Sequence, residues 1–395
     1  MYYEFFKNIT KNFVAYSKIL FIYIILKGRF EMKKLLSILL AGAMTLSMSA
    51  CGADTAETSS GASEAISKAE VASSNKALTP DDFKVAMVTD IGGVNDHSFN
   101  QSAWEGLQKA QDELGVVAQY IESRQESEYE LNLKMLSESD NKLIFGIGYM
   151  MADALIEAAK NNTDVIYCHV DSEIADIPSN VVAVRFRAQE PSFLAGYIAG
   201  KTTKTDKVGF VGGIKGNIIE QFEYGYRAGV AYAAKELGKE ITVDVKYADS
   251  FDDAKKGKEI ALKQYDDGCD IVFHAAGGLG IGVIEAAKEQ NKWVIGVDRD
   301  QNYLAPDNVL TSVVKDVGAA MYHVVNAAQE GTLKTGEDIS YGIKEGCLGL
   351  ALSSERNVEA EILYAAKEIE GKIAGGEIVP PLNEETFSDY IESLN

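Results

Sequence analysis

Lys84-Val85-Ala86-Met87-Val88-Thr89-Asp90-Ile91-Gly92-Gly93-Val94-Asn95-Asp96-His97-Ser98-Phe99-Asn100-Gln101 contains the plan of the whole chain in one stretch. An apolar run of strand length passes into a Gly-rich loop crowded with polar side chains. A helix follows, with Phe99, Ala103, Leu107 and Ala110 at helical spacing. The same phrase recurs downstream. Strands are expected at 117–121, 143–147, 164–170 and 181–184, with helices at 127–137, 151–160 and 190–202. The pattern then restarts, with strands at 207–211, 242–247, 271–275, 293–297 and 310–315 and helices at 219–236, 252–265 and 280–289.

Short strands alternating with helices build parallel sheets covered on both faces. Two successive series imply two such sheets. The expected fold is therefore α/β, with two doubly wound lobes, a hinge and a ligand cleft between them. The first lobe is expected over 80–203 and the second over 204–315. The remainder has a helix at 317–330, Gly-punctuated strand-like pieces at 336–352, a helix at 358–374 and a short tail. It is too small for a third domain, so it is expected to cross back. On that reading about 316–345 completes the first lobe and about 346–390 the second.

A length of 395 residues supports two domains, and 46% hydrophobic with 25% charged residues is ordinary for a globular protein. The N-terminal stretch differs. Met32-Lys33-Lys34, an apolar run from Leu35 to Leu46, and Met48-Ser49-Ala50-Cys51 have the layout of a secretory signal over 32–50. The small-small-Cys ending resembles a bacterial lipobox, with Met48 where Leu is usual, and makes Cys51 the expected lipidation site. The other reading is an ordinary signal peptide with an incidental Cys. Residues 1–31 precede this complete signal and are expected to be an upstream extension, with Met32 the true start. The run at 19–26 is about half a membrane span. Residues 51–79, rich in Ser, Ala, Glu and Thr, read as the lipidated Cys and a flexible linker.

The chain carries a net charge of −21, and residues 1–51 hold seven basic residues against two acidic ones. The rest therefore has 31 basic and 57 acidic residues, a balance of −26. Such a surface repels nucleic acid and anionic headgroups. Beyond Cys51 only Cys168, Cys269 and Cys347 occur, each in apolar or Gly-containing sequence. They are expected to be small core residues and not a disulfide framework.

Ligands of doubly wound sheets bind beyond the carboxyl ends of strands, where the loop from Asp90 to Asn100 lies. Asp90 and Asn100 are candidate contacts to a polar, hydrogen-bonding heterocycle. Asp96 or Ser98 caps the helix on the plainer reading, and Phe99 enters either the site or the core. In the second series Phe222 follows Gly212-Gly213, and its ring could face Phe99 and sandwich a flat ligand. It could equally be a core aromatic on the face of Gly225, Tyr226 and Gly229. Ala275-Ala276-Gly277-Gly278 would let a ligand approach backbone amides. Asp298 and Asp300 follow another strand, where a carboxylate suits vicinal hydroxyls. Lys315 closes the next strand and could donate to them.

Several enzyme signatures fail. The stretch at 196–202 is one residue short of a P-loop and lies in an apolar helix. Val283 occupies the third Gly of a dinucleotide fingerprint. His and Cys show no metal spacing, and no Gly-x-Ser-x-Gly elbow occurs. No cofactor, metal or catalytic residue is expected, although the pairs Asp90/Asp96 and Asp298/Asp300 leave a nucleoside hydrolase open.

Taken in order, the Asp90–Asn100 loop, the Gly-Gly-x-x-Gly stretch before Phe222, the Ala-Ala-Gly turn and Gly296-Val297-Asp298-Arg299-Asp300 resemble the basic membrane protein lipoproteins. These are the purine-nucleoside receptors of ABC transporters. The resemblance spans about residues 83–352 and implies a type I periplasmic-binding-protein fold with three hinge crossings. It implies Phe99 and Phe222 stacked on a base, with Asp90 and Asn100 on its polar edge. Asp171, Gly277, Asp298 and Lys315 would hold the ribose side, and Tyr224 and Tyr226 compete with Phe222. It further implies a lipid-anchored, extracytoplasmic binding protein, not an enzyme. Its partners would be an ABC permease and a separate ATPase, with the membrane reached through the Cys51 anchor. A sugar or autoinducer receptor of the same fold is the alternative.

Overall fold

Runs such as Leu143–Ile147 and Ile271–Ala275 are apolar at nearly every position and buried at all of them, which suits strands covered on both faces. The computed structural model describes residues 72–73 and 83–394. Its strands are β1 (Ala72–Ser73), β2 (Lys84–Val88), β3 (Val117–Ile121), β4 (Leu143–Ile147), β5 (Ile166–Val170), β6 (Val181–Phe186) and β7 (Lys207–Gly212). Then come β8 (Thr242–Tyr247), β9 (Ile271–Ala275), β10 (Trp293–Asp298), β11 (Val309–Lys315), β12 (Glu337–Tyr341) and β13 (Leu348–Leu350). The helices are α1 (Phe99–Leu114), α2 (Tyr129–Ser137), α3 (Ala152–Asn161), α4 (Gln189–Thr202) and α5 (Asn217–Leu237). They continue as α6 (Ala254–Asp266), α7 (Gly280–Gln290), α8 (Val317–Gln329), α9 (Ala360–Ala374) and α10 (Glu384–Leu394).

The strands form two sheets, in the orders β1-β3-β2-β4-β5-β6-β12 and β13-β11-β10-β9-β7-β8. All pairs are parallel except β1 with β3 and β11 with β13. This is the two-lobed α/β architecture of type I periplasmic binding proteins. The chain passes between lobes three times, after β6, after β11 and after β12. Arg187 ties the first passage to the third. Its guanidinium bonds Glu190, Glu345 and the hydroxyl of Ser340, while Glu190 Oε2 accepts from Ile343 N at 2.8 Å.

Three features depart from the sequence reading. Helix α4 stands at the end of the first βα series, yet its Phe193, Leu194 and Ile198 pack in one core with Phe210, Phe222 and Val230 of the second lobe. A side chain at Gly196 or Gly229 would run into the facing backbone of the other helix, so glycine at both sites lets α4 and α5 pack closely. The first passage therefore precedes α4. Within the expected flexible stretch, Ala72–Ser73 pairs with Tyr120 and Gln119 at the open edge of β3. The short tail contains α10, started by Asn383, whose side chain accepts from Thr386 N at 2.9 Å. Phe387 and Tyr390 seat this helix on the second lobe.

The returning segments divide between the lobes. Helix α8 lies in the first core, with Val317, Met321 and Val325 beside Leu107 and Ala110. Helix α9 joins the second through Leu363, Ile369 and Ile373. Cys168, Cys269 and Cys347 are buried and unpaired. Among the described residues no helix is long and apolar enough to cross a membrane. The expectations for 1–31, for the signal at 32–50 and for Cys51 lie outside the described residues.

Candidate functional site

The carboxyl ends of β2, β4, β5, β7, β9, β10 and β11 converge on one cavity between the lobes. Asp90, Phe99, Asn100, Asp171, Phe222, Gly277, Asp298 and Lys315 all line it. Sequence reasoning missed Tyr149 and Phe251, whose rings meet across the lobes at 6.4 Å, and the apolar wall of Ile218, Ile219 and Val297. Both aromatics lie just beyond a strand, and that position was the available signal. Asp300 lies elsewhere. It caps a turn through Asn302 N and bonds Ser353.

Asp96 is the residue that organises the first loop. Its carboxylate accepts from the backbone N–H groups of Ser98, Asn100 and Gln101 at 2.8 to 3.0 Å, crowning the start of α1. Burial nevertheless raises its pKa against these three donors. Asn100 Nδ2 then donates to both Asp90 Oδ1, at 2.7 Å, and Asp96 Oδ2, at 3.1 Å. With its amide nitrogen spent on two carboxylates, Asn100 keeps Oδ1 as a buried acceptor with no protein partner. Burial pushes the Asp90 carboxyl up to about 6, against the pull of Gly92 N–H and Asn100.

A second polar group surrounds Lys315. Its Nζ meets Asp171 Oδ2 at 2.5 Å, with both side chains almost wholly buried, while Asp171 Oδ1 is buried without a protein partner. The ammonium lies 4.6 Å from the Phe99 ring centroid and 5.6 Å from that of Phe222. The two phenylalanines thus approach one cation from the two lobes. Tyr226 packs against Phe210 and Phe273 in the core, and Tyr224 against Phe387. Phe222 is therefore the aromatic of its helix that reaches the cavity, although it also packs with Phe273.

Asp298 receives the Ser98 hydroxyl at 2.5 Å, and burial raises its carboxyl to about 6 against the pull of Lys315 and Ser98. Ser98 makes no side-chain cap to α1. Of the two capping candidates Asp96 takes the part, because Ser98 is turned toward the other lobe. Asp171 and Asp298 both have left-handed backbone, with φ of 61° and 64°. That conformation is uncommon outside Gly, Asn and Asp, and here it falls on two cavity carboxylates at strand ends. Gly277, at φ 56°, turns the β9 loop under Phe251 in the same region. Among the described residues no group of acidic, His or Cys side chains could hold a metal ion.

The sequence matches the family described as "ABC transporter substrate-binding protein PnrA-like" (Bmp) over residues 83–383. It is 43% identical over 321 residues to a CD4+ T-cell-stimulating antigen of Listeria monocytogenes, covering 76% of this chain and 88% of that one. It is 40% identical over 331 residues to the ABC transporter nucleoside-binding protein BmpA of Lactococcus lactis, covering 78% and 92%. Among solved structures, it resembles an ABC transporter solute-binding protein of Aeropyrum pernix with a TM-score of 0.71 and 27% identity, covering 79% and 97%. Convergent strand ends, a hinged pair of sheets and a match across the folded region agree, and this chain belongs to the Bmp family of ABC-transporter substrate-binding proteins, which bind solutes and are not enzymes.

Proposed function

We propose that the cavity captures a nucleoside, with purine nucleosides as the preferred class, and that lobe closure delivers it to an ABC permease driven by a separate ATPase. The observation that carries this reading is the set of buried acceptors around an apolar slot. Asn100 Oδ1 and Asp171 Oδ1 have no protein partner. A buried polar atom needs one, so a fitting ligand brings several N–H or O–H donors. The walls carry Phe99, Phe222, Tyr149 and Phe251, which suit a flat ring. Asp90 with Asn100 would accept from the N–H edge of a base. Asp298, Asp171 and Lys315 would take the vicinal hydroxyls of a ribose. The nucleoside-binding name of the Lactococcus lactis relative supports the same ligand class.

The N-terminal sequence supports a lipid anchor at Cys51, which would hold the protein on the extracytoplasmic face of the cell membrane. Metabolic labelling with a radiolabelled fatty acid, lost in Cys51→Ala, tests the anchor. Calorimetric titration of refolded protein with adenosine, guanosine, inosine, cytidine, uridine and ribose tests the ligand class. Reversible purine-nucleoside binding without release of free base is expected. Binding of ribose alone, or of none of the six, would overturn the nucleoside reading and turn attention to sugars.

A further inference from the structure

Two residues that touch each other's lobes, but do not line the cavity, stand beside the ligand site. Ser98 and Gln301 are both wholly buried. Gln301 belongs to the second lobe, where its Oε1 accepts from Val297 N and His274 Nε2, each at 3.0 Å. Burial lowers the His274 pKa to about 4, so the ring is neutral and its single proton lies on Nε2. These two donors fix the amide orientation, and Gln301 Nε2 is left pointing at the first lobe. There it donates to the His97 carbonyl at 3.1 Å. His97 has left-handed backbone, with φ of 55°, which turns that carbonyl into the cleft. The next residue, Ser98, donates its hydroxyl in the opposite sense, to Asp298 Oδ2.

Adjacent residues of the first lobe therefore offer an acceptor and a donor, and the second lobe offers the matching donor and acceptor. The Asp96 carboxylate, gathering three backbone N–H groups, holds the His97–Ser98 turn in this attitude. Neither bond helps either lobe to fold, since each spans the cleft. Outside them, half-buried Arg299 and exposed Glu105 pair across the same seam. From this we infer that Ser98 and Gln301 form a two-point latch, positioning residues that hold the lobes shut beside the ligand and aim Asp298 into the cavity. One carboxylate oxygen of Asp298 is engaged by Ser98, which leaves the other oriented for a ligand hydroxyl. Ligand contact and lobe closure then share one side chain, and the rate at which bound solute escapes is set partly by residues that never touch it.

This inference rests on the nucleoside reading for its kinetic test only; the conformational test is independent of it. Ser98→Ala removes the hydroxyl, and Gln301→Glu keeps both lobe-two hydrogen bonds while facing the His97 carbonyl with an acceptor. The full chain, in detergent, carries a donor and an acceptor dye at Glu130→Cys and Lys255→Cys, both exposed and on opposite lobes. Single-molecule energy transfer then gives the closed fraction without ligand and with guanosine. Each variant is expected to lower the closed fraction in both conditions. Each is also expected to raise the guanosine dissociation rate about tenfold or more with little change in association, because Ser98→Ala loses a bond to the buried Asp298 carboxyl and Gln301→Glu sets an acceptor against the His97 carbonyl. If guanosine does not bind, the nucleoside reading fails, and the ligand-free closed fraction still decides the latch. If Gln301→Glu does not melt cooperatively, Ser98→Ala decides it. Equal closed fractions in parent and variants, with and without guanosine, would overturn the latch, as would an unchanged dissociation rate of bound guanosine in Ser98→Ala.

Discussion

The two lobes line the same cavity with different chemistry. The first contributes Asp90, Asp96, Asn100 and Asp171 beside Phe99 and Tyr149. The second contributes Ile218, Ile219, Phe222, Phe251, Ala275, Ala276 and Val297, with Asp298 and Lys315 as its charged groups. Hydrogen-bonding groups are directional and discriminate between ligands, because a mismatch leaves a buried polar atom unpaired. Apolar walls discriminate weakly but contribute affinity in proportion to the area they cover. The division of labour that follows is a selecting lobe and an enclosing lobe. It can be broken or sharpened by substitutions graded from the former to the latter.

The largest effect should come from Asp171→Ala. It removes the carboxylate paired with buried Lys315 together with the Asp171 Oδ1 acceptor, and truncating one partner of a buried charge pair at a binding site costs about 2–5 kcal/mol. Calorimetry should show nucleoside affinity reduced by two orders of magnitude or more. A loss no larger than that of Ile219→Ala would erase the distinction between the lobes.

Asp90→Asn should come next, with a pH signature. The Asp90 carboxyl has its folded pKa raised from 3.8 to about 6 by burial. Its contribution to stability is therefore fully present below pH 3.8 and is lost as pH rises through about 6. The ligand-free variant should melt higher than the parent at pH 7, by up to roughly 3 kcal/mol, and the gap should close toward pH 4. In the parent, affinity for a ligand presenting N–H groups should rise as pH climbs through 6 and the acceptor ionises. A flat profile from pH 5 to 8 would remove Asp90 from the base edge.

Phe251→Ala, in the enclosing lobe, should weaken all nucleosides about tenfold and nearly equally, because lost ring area does not distinguish bases. A change in base ranking would show that the second lobe also selects. The smallest effect should be that of Glu105→Gln, which opens the solvent-accessible pair of Glu105 with half-buried Arg299. Ion pairs open to solvent contribute about 0.2–1 kcal/mol, so affinity should fall about fivefold or less, and least in 1 M salt.

The sequence was most readable where one local rule governs. Strand Leu143–Ile147 stands where the periodicity put it, because an apolar run of five suits the middle of a covered sheet. The cavity residues at strand ends were legible for a related reason, since topology alone brings such ends together. Failures came where a distant partner decided the outcome. Ser98 looks like a cap from its neighbours, and only Asp298, two hundred positions away, takes its hydroxyl. Helix α4 is ambiguous because a helix buried nearly all round can pack against either lobe, and the choice depended on Gly229 of a later helix. Tyr149 and Phe251 lie outside every expected strand and helix, and only the facing of the lobes brings their rings together.

The entry of the chain into the fold has a mechanical consequence. Ala72–Ser73 pairs with β3 at the outer edge of the first sheet, the edge opposite β12. Any tension transmitted from residues before 72 is borne by the first lobe, which also carries most of the discriminating groups. The second lobe hangs from that body by its three passages, like a shutter on a fixed frame. Under load from that side the two-residue strand would peel from Tyr120 first, without disturbing the frame or the swing of the shutter.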